Sequence, residues 1–391
     1  MRLGFHYHIP AALIDGLIRT AGPQGRFMDA LAEHCAEIVC FLHTPVRDEF
    51  QRMDYVVQQR NVRLVGLGPH ASVPRRLLSA RRYARTLREA GDNLDVLLLR
   101  GPSPLLPLLA RAVRPLPTSL LLVGDAVAGV SGLPQPFWRK TAIRLLWKWN
   151  RRQQDRVAQR ALTFVNSRKL FLELQTRVPN LVETRTTTLS KTDFYRRDDT
   201  CAAPPYRLLY TGRLDRTKGL LDMVEAVAIL VQAGLDVVLD LVGFPQKGDP
   251  VLDDIKNLAA SKGILERVNY LGYKSLGSEL FGCYKVADVF VIASQASEGF
   301  PRTIWEAMAH SVPVVATAVG SIPHFVGQAA AVVQPNDCRG LASAIQTVLL
   351  NGTRRREMIS LGCQLASAVT LEEQSASMVG RIKRWIENSQ S

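Results

Sequence analysis

Paired cysteines are absent from this 391-residue sequence. Its six cysteines (35, 40, 201, 283, 338 and 363) are scattered with no Cys-x-x-Cys. That pattern fits a reduced cytosol and argues against structural zinc. Long apolar runs are missing too. The greasiest region, Leu94–Val123, is cut by Arg100, Arg111, Arg114 and several prolines, so it cannot cross a bilayer. The opening MRLGFHYHIP lacks the apolar core of a secretory signal. The expectation is a soluble, cytoplasmic chain. With 47% hydrophobic and 21% charged residues it is not disordered. Its length suits two or three domains of about 100–200 residues.

Acidic residues are scarce in one half only. Residues 1–198 carry 31 Lys and Arg against 16 Asp and Glu, whereas the remainder carries 18 against 19. All of the net charge of +14 therefore belongs to the first half. A one-sided basic field attracts something anionic: nucleic acid, an acidic membrane surface or a phosphate-bearing substrate.

Both halves alternate short apolar runs with helical patterns, the signature of βαβ units and parallel sheets. Strands are expected at 2–6, 38–42, 63–65, 95–99, 119–123 and 162–166, then at 207–211, 237–242, 268–271, 289–293, 314–317 and 331–333. Helices are expected at 25–34, 74–90 and 138–160, then at 219–233, 251–262, 304–310, 341–350 and about 372–388. The stretch Arg196–Tyr206 (RRDDTCAAPPY) is charged, small and Pro-rich, as an interdomain linker would be. Doubly wound sheets bind ligands at the carboxyl ends of their strands.

Two segments of the second half have that position. In YTGRLDRTKGL, Gly212 ends a strand with a sharp turn, and Arg213 and Lys218 place two cations before a helix, a combination that suits a diphosphate. A solvated loop with incidental charges is the alternative. In SQASEGFPRTIWEAMAH, Pro301 suits a first helical turn, leaving the amides of Gly299–Thr303 for an anion. Glu306 lies one and a half turns into that helix, placed to accept hydrogen bonds from hydroxyls such as those of a ribose. Glu298 precedes it, either reading a group beyond the phosphates or acting as a helix-dipole partner. His310 and His324 lack partners at metal-ligand spacing and read as surface or loop residues.

These motifs resemble the donor domain of family 4 retaining glycosyltransferases: Gly-Arg-Leu with Lys218, then Glu298-x7-Glu306 inside EGFPRTIWEAMA, then VPVVATAVGSIPHFV. The resemblance implies an α/β architecture of the GT-B type, two doubly wound Rossmann-like domains facing a central cleft. It divides the chain into a basic acceptor-binding domain (1–198), a nucleotide-sugar donor domain (199–370) and a C-terminal helix (371–391) that crosses back to the first domain. In the family, residues at the positions of Arg213 and Lys218 hold the diphosphate. Glu298 would contact donor-sugar hydroxyls, and Glu306 the ribose. Gly212, Gly299, Phe300, Arg302 and Thr303 would complete the cradle, with Tyr273 in LGYK beside the nucleobase. The family's glycine loop after its first strand reads here as Ala21-Gly22-Pro-Gln-Gly25, which makes Gly22 a further candidate. Many members carry a histidine after the strand ending at Val123, where this sequence has Gly124-Asp125, so Asp125, or His8, would neighbour the acceptor.

The function implied is transfer of a hexose from a UDP- or GDP-linked donor to a lipid-linked or polysaccharide acceptor, with retention. The catalytic group would be Glu298, Arg213, Lys218 and Asp125. Asp-x-Asp occurs nowhere, so the leaving diphosphate is expected to be met by cations and a helix terminus, with no metal and no other cofactor. Helices 74–90 and 137–152 carry the basic excess. Each either packs an apolar face inward or rests on an anionic leaflet, which would make the chain peripheral at the inner face of a membrane. Nucleic acid is not expected as a partner, since no DNA- or RNA-binding module is present. Alternatives are a catalytically inactive nucleotide-sugar-binding subunit, a nucleotide-sugar epimerase, and an NAD-type oxidoreductase. The last rests on GLGPHA (66–71), which mimics a dinucleotide fingerprint but is broken by Pro69 and Pro74.

Overall fold

The structure is a computed structural model that describes residues 1–390 apart from 92, 125–135, 247 and 296–298, with the side chains at 47, 48, 389 and 390 also left aside. It divides into two compact units. The first holds the chain up to 124, Phe137–Thr188 and the segment from Leu371 onward; the second holds Leu189–Thr370.

The first unit is built on strands β1 (Arg2–Ile14), β2 (Leu17–Thr20), β3 (Glu37–Thr44), β4 (Tyr55–Val56), β5 (Val62–Pro69), β6 (Val96–Gly101), β7 (Thr118–Leu122), β8 (Leu162–Val165) and β9 (Leu181–Glu183). The parallel pairings give the order β5-β3-β1-β6-β7-β8-β9, while β2 and β4 extend the far end of β1 in antiparallel fashion. Runs such as Val96–Leu99 are buried throughout, as a parallel sheet covered on both faces requires. Alternate residues feed two cores: Ile38 and Cys40 join one, Val39 and Phe41 the other. Leu371, Met378, Val379, Ile382 and Ile386 of the C-terminal helix (Leu371–Gln390) pack into the first of these cores.

The second unit carries β10 (Tyr206–Thr211), β11 (Val237–Val242), β12 (Val268–Gly272), β13 (Val289–Ile292), β14 (Val314–Thr317) and β15 (Ala330–Val333). All pair in parallel in the order β12-β11-β10-β13-β14-β15. Among the described residues, no helix is long and apolar enough to cross a membrane.

Several local expectations need correction. The first strand runs on to Ile14 and folds back through Asp15-Gly16, both at positive φ, into β2. The stretch 196–206 is no linker. Arg355 grips Asp199 with both guanidinium arms, Nε–Oδ1 at 2.5 Å and Nη2–Oδ2 at 3.0 Å, while Arg197 donates to the carbonyls of Lys285 and Ala287. Arg197 and Asp199 are thus tied into the second unit, and the units part at 188/189, where Leu189 enters the second core. The expected helix 74–90 is two pieces, Val73–Leu78 and Ala80–Glu89, with Arg76, Ala80, Tyr83, Ala84 and Leu87 buried.

Inward packing does not hold for the start of helix Phe137–Ala158. Trp138, Leu145 and Trp149 are 66%, 63% and 59% exposed, and burial is confined to the stretch from Asn150 onward. The dinucleotide mimic lies largely within β5, and no helix opens until Val73, which removes the geometry a pyrophosphate needs.

Candidate functional site

In the second unit, the chain winds from β10 outward to β12 in one direction and from β13 to β15 in the other. Loops leaving β10 and β13 therefore diverge, and the carboxyl ends of those two strands form the topological switch point. The two motif loops leave these strands. They are also pressed together. The Gln295 amide donates to the Thr217 carbonyl at 2.8 Å. Gly219, at φ +63°, sits so near Ala293 that a Cβ would lie 1.9 Å from its carbonyl oxygen. No other residue type fits there.

The first loop is tied to its strand by the Tyr210 hydroxyl, which donates to the Arg213 carbonyl at 2.7 Å. Gly212 turns at φ +149°, beneath Gly243, whose Cβ would meet the Gly212 carbonyl at 1.7 Å. Asp215 is buried and accepts from the Thr217 amide at 3.0 Å and from the Thr217 hydroxyl. It also lies 3.8 Å from the guanidinium of Arg213, whose side chain is otherwise mostly in solvent. Lys218 closes the short turn directly before helix Leu220–Gln232. Asp215 was not among the sequence candidates, although an aspartate two residues before the amide it caps is a recognisable turn signal.

The second loop is held from beneath. The Thr317 hydroxyl donates to the Ser294 carbonyl at 2.7 Å, and the Ser321 amide to the Gly299 carbonyl at 3.0 Å. Phe300 is buried, stacked on Trp305 at 4.3 Å and edge-on to Phe325, so its side chain anchors the loop in the core. Helix Arg302–Ala309 starts at Pro301 with no side-chain cap, and Arg302 and Thr303 are half-buried at that start.

Glu306 is 4% exposed and accepts the Tyr284 hydroxyl at 2.9 Å; that hydroxyl lies 2.5 Å from the Thr211 hydroxyl at the end of β10. Burial, and then the adjacent Glu306 carboxylate, hold the Tyr284 phenol well above its ordinary value, so it stays a donor. His310 corrects its expectation as a surface or loop residue. It is fully buried, stacked on Tyr284, with Nδ1 on the Glu306 carbonyl at 2.7 Å; burial depresses its pKa. His324 is exposed.

Tyr273, 40% exposed, meets Phe244 edge to face at 6.0 Å, an aromatic pair just past the ends of β12 and β11. Gly22 lies in the first unit, where its amide donates to the Asp54 carboxylate at 2.8 Å, so a protein group already caps that helix. Gly25 makes room for the Tyr55 ring, which a Cβ would strike at 2.2 Å. Asp125 and Glu298 lie outside the described residues. The structure thus brings Gly212, Arg213, Lys218, Gly299, Arg302, Thr303 and Glu306 to one end of one sheet. Tyr284 and Thr211 join them without any sequence signal.

Residues 192–362 match the family model of glycosyl transferases group 1. Curated relatives match part of the chain's length. A D-inositol 3-phosphate glycosyltransferase of Corynebacterium glutamicum (strain R) is 29% identical over 153 residues, 38% of this chain and 36% of the relative. The O-antigen chain mannosyltransferase B of Escherichia coli is 29% identical over 176 residues, 45% of each chain. The matched part spans less than half of these relatives' length. Among solved structures, sucrose-phosphate synthase from Thermosynechococcus elongatus superposes with TM-score 0.76 at 20% identity, covering 100% of both chains. HepE from Anabaena, in complex with UDP and glucose, superposes with TM-score 0.71 at 17% identity, covering 97% and 99%. The fold is the mixed α/β, parallel-sheet fold of GT-B glycosyltransferases.

Proposed function

We propose that the protein is a retaining glycosyltransferase that moves a hexose from a nucleotide diphosphate to a lipid-linked or polysaccharide acceptor. The observation that carries this reading is the pair of loops at the β10/β13 switch point, joined at Gln295–Thr217, with Glu306 buried beneath. A diphosphate there would be met by Arg213, Lys218 and the uncapped start of helix Arg302–Ala309. Charge developing on the leaving phosphate would be stabilised by groups already in place, the form of catalysis that needs least reorganisation. Glu306, steadied by Tyr284, would accept from ribose hydroxyls, and the Phe244–Tyr273 pair would flank the base. No metal is needed in this scheme. The UDP and UDP-glucose complexes of HepE support a nucleotide-sugar donor, UDP- or GDP-linked.

A lipid-linked acceptor at the inner face of a membrane is supported by helix Phe137–Ala158. Its exposed Trp138, Leu145, Leu146 and Trp149 are interleaved with Arg139, Lys140, Arg144 and Lys148. Aromatic and basic residues together suit an anionic interface, each cation contributing about 1 kcal/mol there.

The test is a panel of UDP-, GDP-, ADP- and dTDP-sugars without added metal, read by thermal shift and by donor hydrolysis. One donor should raise the melting temperature and be slowly hydrolysed with retention at the anomeric carbon. If NAD or a polyanion stabilises the protein and no nucleotide sugar does, the reading fails.

A further inference from the structure

The first unit has a switch point of its own, between β1 and β6. Around the carboxyl ends of the strands there, β1 brings His6 and His8, β3 ends beside His43, His70 follows β5, and β6 carries Arg100. Helix Val73–Leu78 adds Arg76. These side chains are buried or half-buried. His6 is fully buried: Nδ1 donates to the Phe41 carbonyl at 2.8 Å, while Nε2 has no partner. Arg76 is 8% exposed, and its Nε and Nη1 are buried without a partner. Arg100 is equally buried but turns to the other face of the sheet, its guanidinium 4.6 Å from the Tyr7 ring and 5.4 Å from that of Phe27.

Among the described residues, negative charge is short here. The nearby carboxylate of Glu49 is already engaged, Oε1 with His70 Nδ1 at 2.5 Å and Oε2 with the Val46 amide at 2.9 Å. Tyr83 packs against His43 at 5.3 Å and adds no charge at neutral pH. A guanidinium cannot discharge itself by losing a proton. Burying one with open donors is costly unless an anion completes it. A metal ion is disfavoured by Arg76, and among the described residues no group of three His, Cys, Asp or Glu could hold one.

We infer that this cluster is a phosphoryl-binding site, holding a phosphate monoester or diphosphate of the acceptor through Arg76 and the adjoining imidazoles. Only the word acceptor rests on the glycosyltransferase reading; the anion chemistry stands on the cluster alone. A tetrahedral phosphoryl group offers oxygens to donors arriving from several strands at once, which a planar carboxylate does not. Burial, with Arg76 as a further cause, depresses His6 to about 4 and His8 and His43 to about 3. All three are neutral at pH 7, and a bound dianion would draw protons onto them. Anion binding should therefore be accompanied by proton uptake and tighten as pH falls from 8 to 6.

The experiment titrates inorganic phosphate, pyrophosphate and glucose 6-phosphate calorimetrically into the full chain bearing Arg213→Gln, Lys218→Gln and Arg302→Gln, which removes the candidate phosphate-binding cations of both loops in the second unit. One site per chain is expected, with heats that depend on buffer ionisation in the sense of proton uptake. Arg76→Gln on this background should weaken binding at least tenfold, and Arg76→Lys less. In phosphate-free buffer Arg76→Gln should melt no lower than its parent, since it removes a buried charge whose Nε and Nη1 lack hydrogen-bond partners. Tighter pyrophosphate marks a lipid diphosphate as the source, and tighter glucose 6-phosphate a soluble sugar phosphate. Absent binding, binding indifferent to Arg76→Gln, or a lower melting temperature without phosphate overturns the inference. None of these results depends on a nucleotide sugar, so the donor reading stands or falls separately.

Discussion

The hydroxyl of Tyr284 donates to the carboxylate of Glu306 across 2.9 Å, joining the helix before β13 to the helix after it. Because the same hydroxyl meets Thr211 at the end of β10, one phenol spans both sides of the switch point. Tyr284→Phe leaves the packing and removes the bond. Loss of a hydrogen bond to a buried charge costs about 1.5–3 kcal/mol, so nucleotide affinity should fall at least tenfold if the bond steadies Glu306 for a ribose. Thr211→Val should do less. Calorimetric affinities check this, and an unchanged nucleotide Kd in Tyr284→Phe would remove Glu306 from the site.

Gly219→Ala tests the contact between the two loops. The new methyl would lie 1.9 Å from the Ala293 carbonyl oxygen and force an alanine into φ +63°. The left-handed conformation alone costs about 1–2 kcal/mol, and the clash must part the loops. Donor stabilisation in a thermal-shift assay should be abolished, while Gly234→Ala, also at positive φ but with open space around it, should bind normally. Equal behaviour of the two variants would show that the loop contact is unimportant.

Stability should fall on acidification. His6, His8 and His43 have folded-state values of about 4, 3 and 3, below the ordinary 6.5. The unfolded chain therefore takes up protons first as pH drops through 6.5, and the neutral folded form loses ground until about pH 3–4. Their contribution is complete above pH 7. The urea midpoint should decline between pH 7 and pH 4.5, and His6→Gln should flatten that slope; a midpoint that rises over this range contradicts the burial of these rings.

Vesicle flotation addresses the exposed helix. The chain should bind vesicles containing anionic lipid and release in high salt, because surface charges are screened within about 8–10 Å at physiological ionic strength. Trp138→Ser with Trp149→Ser should abolish binding without altering the melting temperature, both side chains being more than half exposed. A drop in melting temperature would instead mean that these rings pack in solution.

Asp199→Ala examines the strap from 196 to 206. It leaves the 8%-exposed Arg355 side chain without its bidentate partner, which should cost about 2–4 kcal/mol in urea unfolding. A loss below about 0.5 kcal/mol would return the segment to the status of a linker.

The βαβ rhythm, most strands to within two residues, the two motif loops and the charge asymmetry are legible in the residues alone. Apolar runs, glycine turns and Pro301 are local signals, and period and turn chemistry are written into neighbouring residues. Tertiary structure alone decided which loops meet, because that depends on strand order. It set Thr211, Tyr284 and Glu306 in line although 73 and 22 residues separate them. It also turned RRDDTCAAPPY from linker to strap, since Asp199 finds Arg355 only across 156 residues. Arg76 shows the division most sharply. Its spacing from Ala80 and Tyr83 matches that of an apolar helical face, yet only the folded sheet brings His6, His8 and His43 near it, where burial leaves two of its guanidinium nitrogens without a partner.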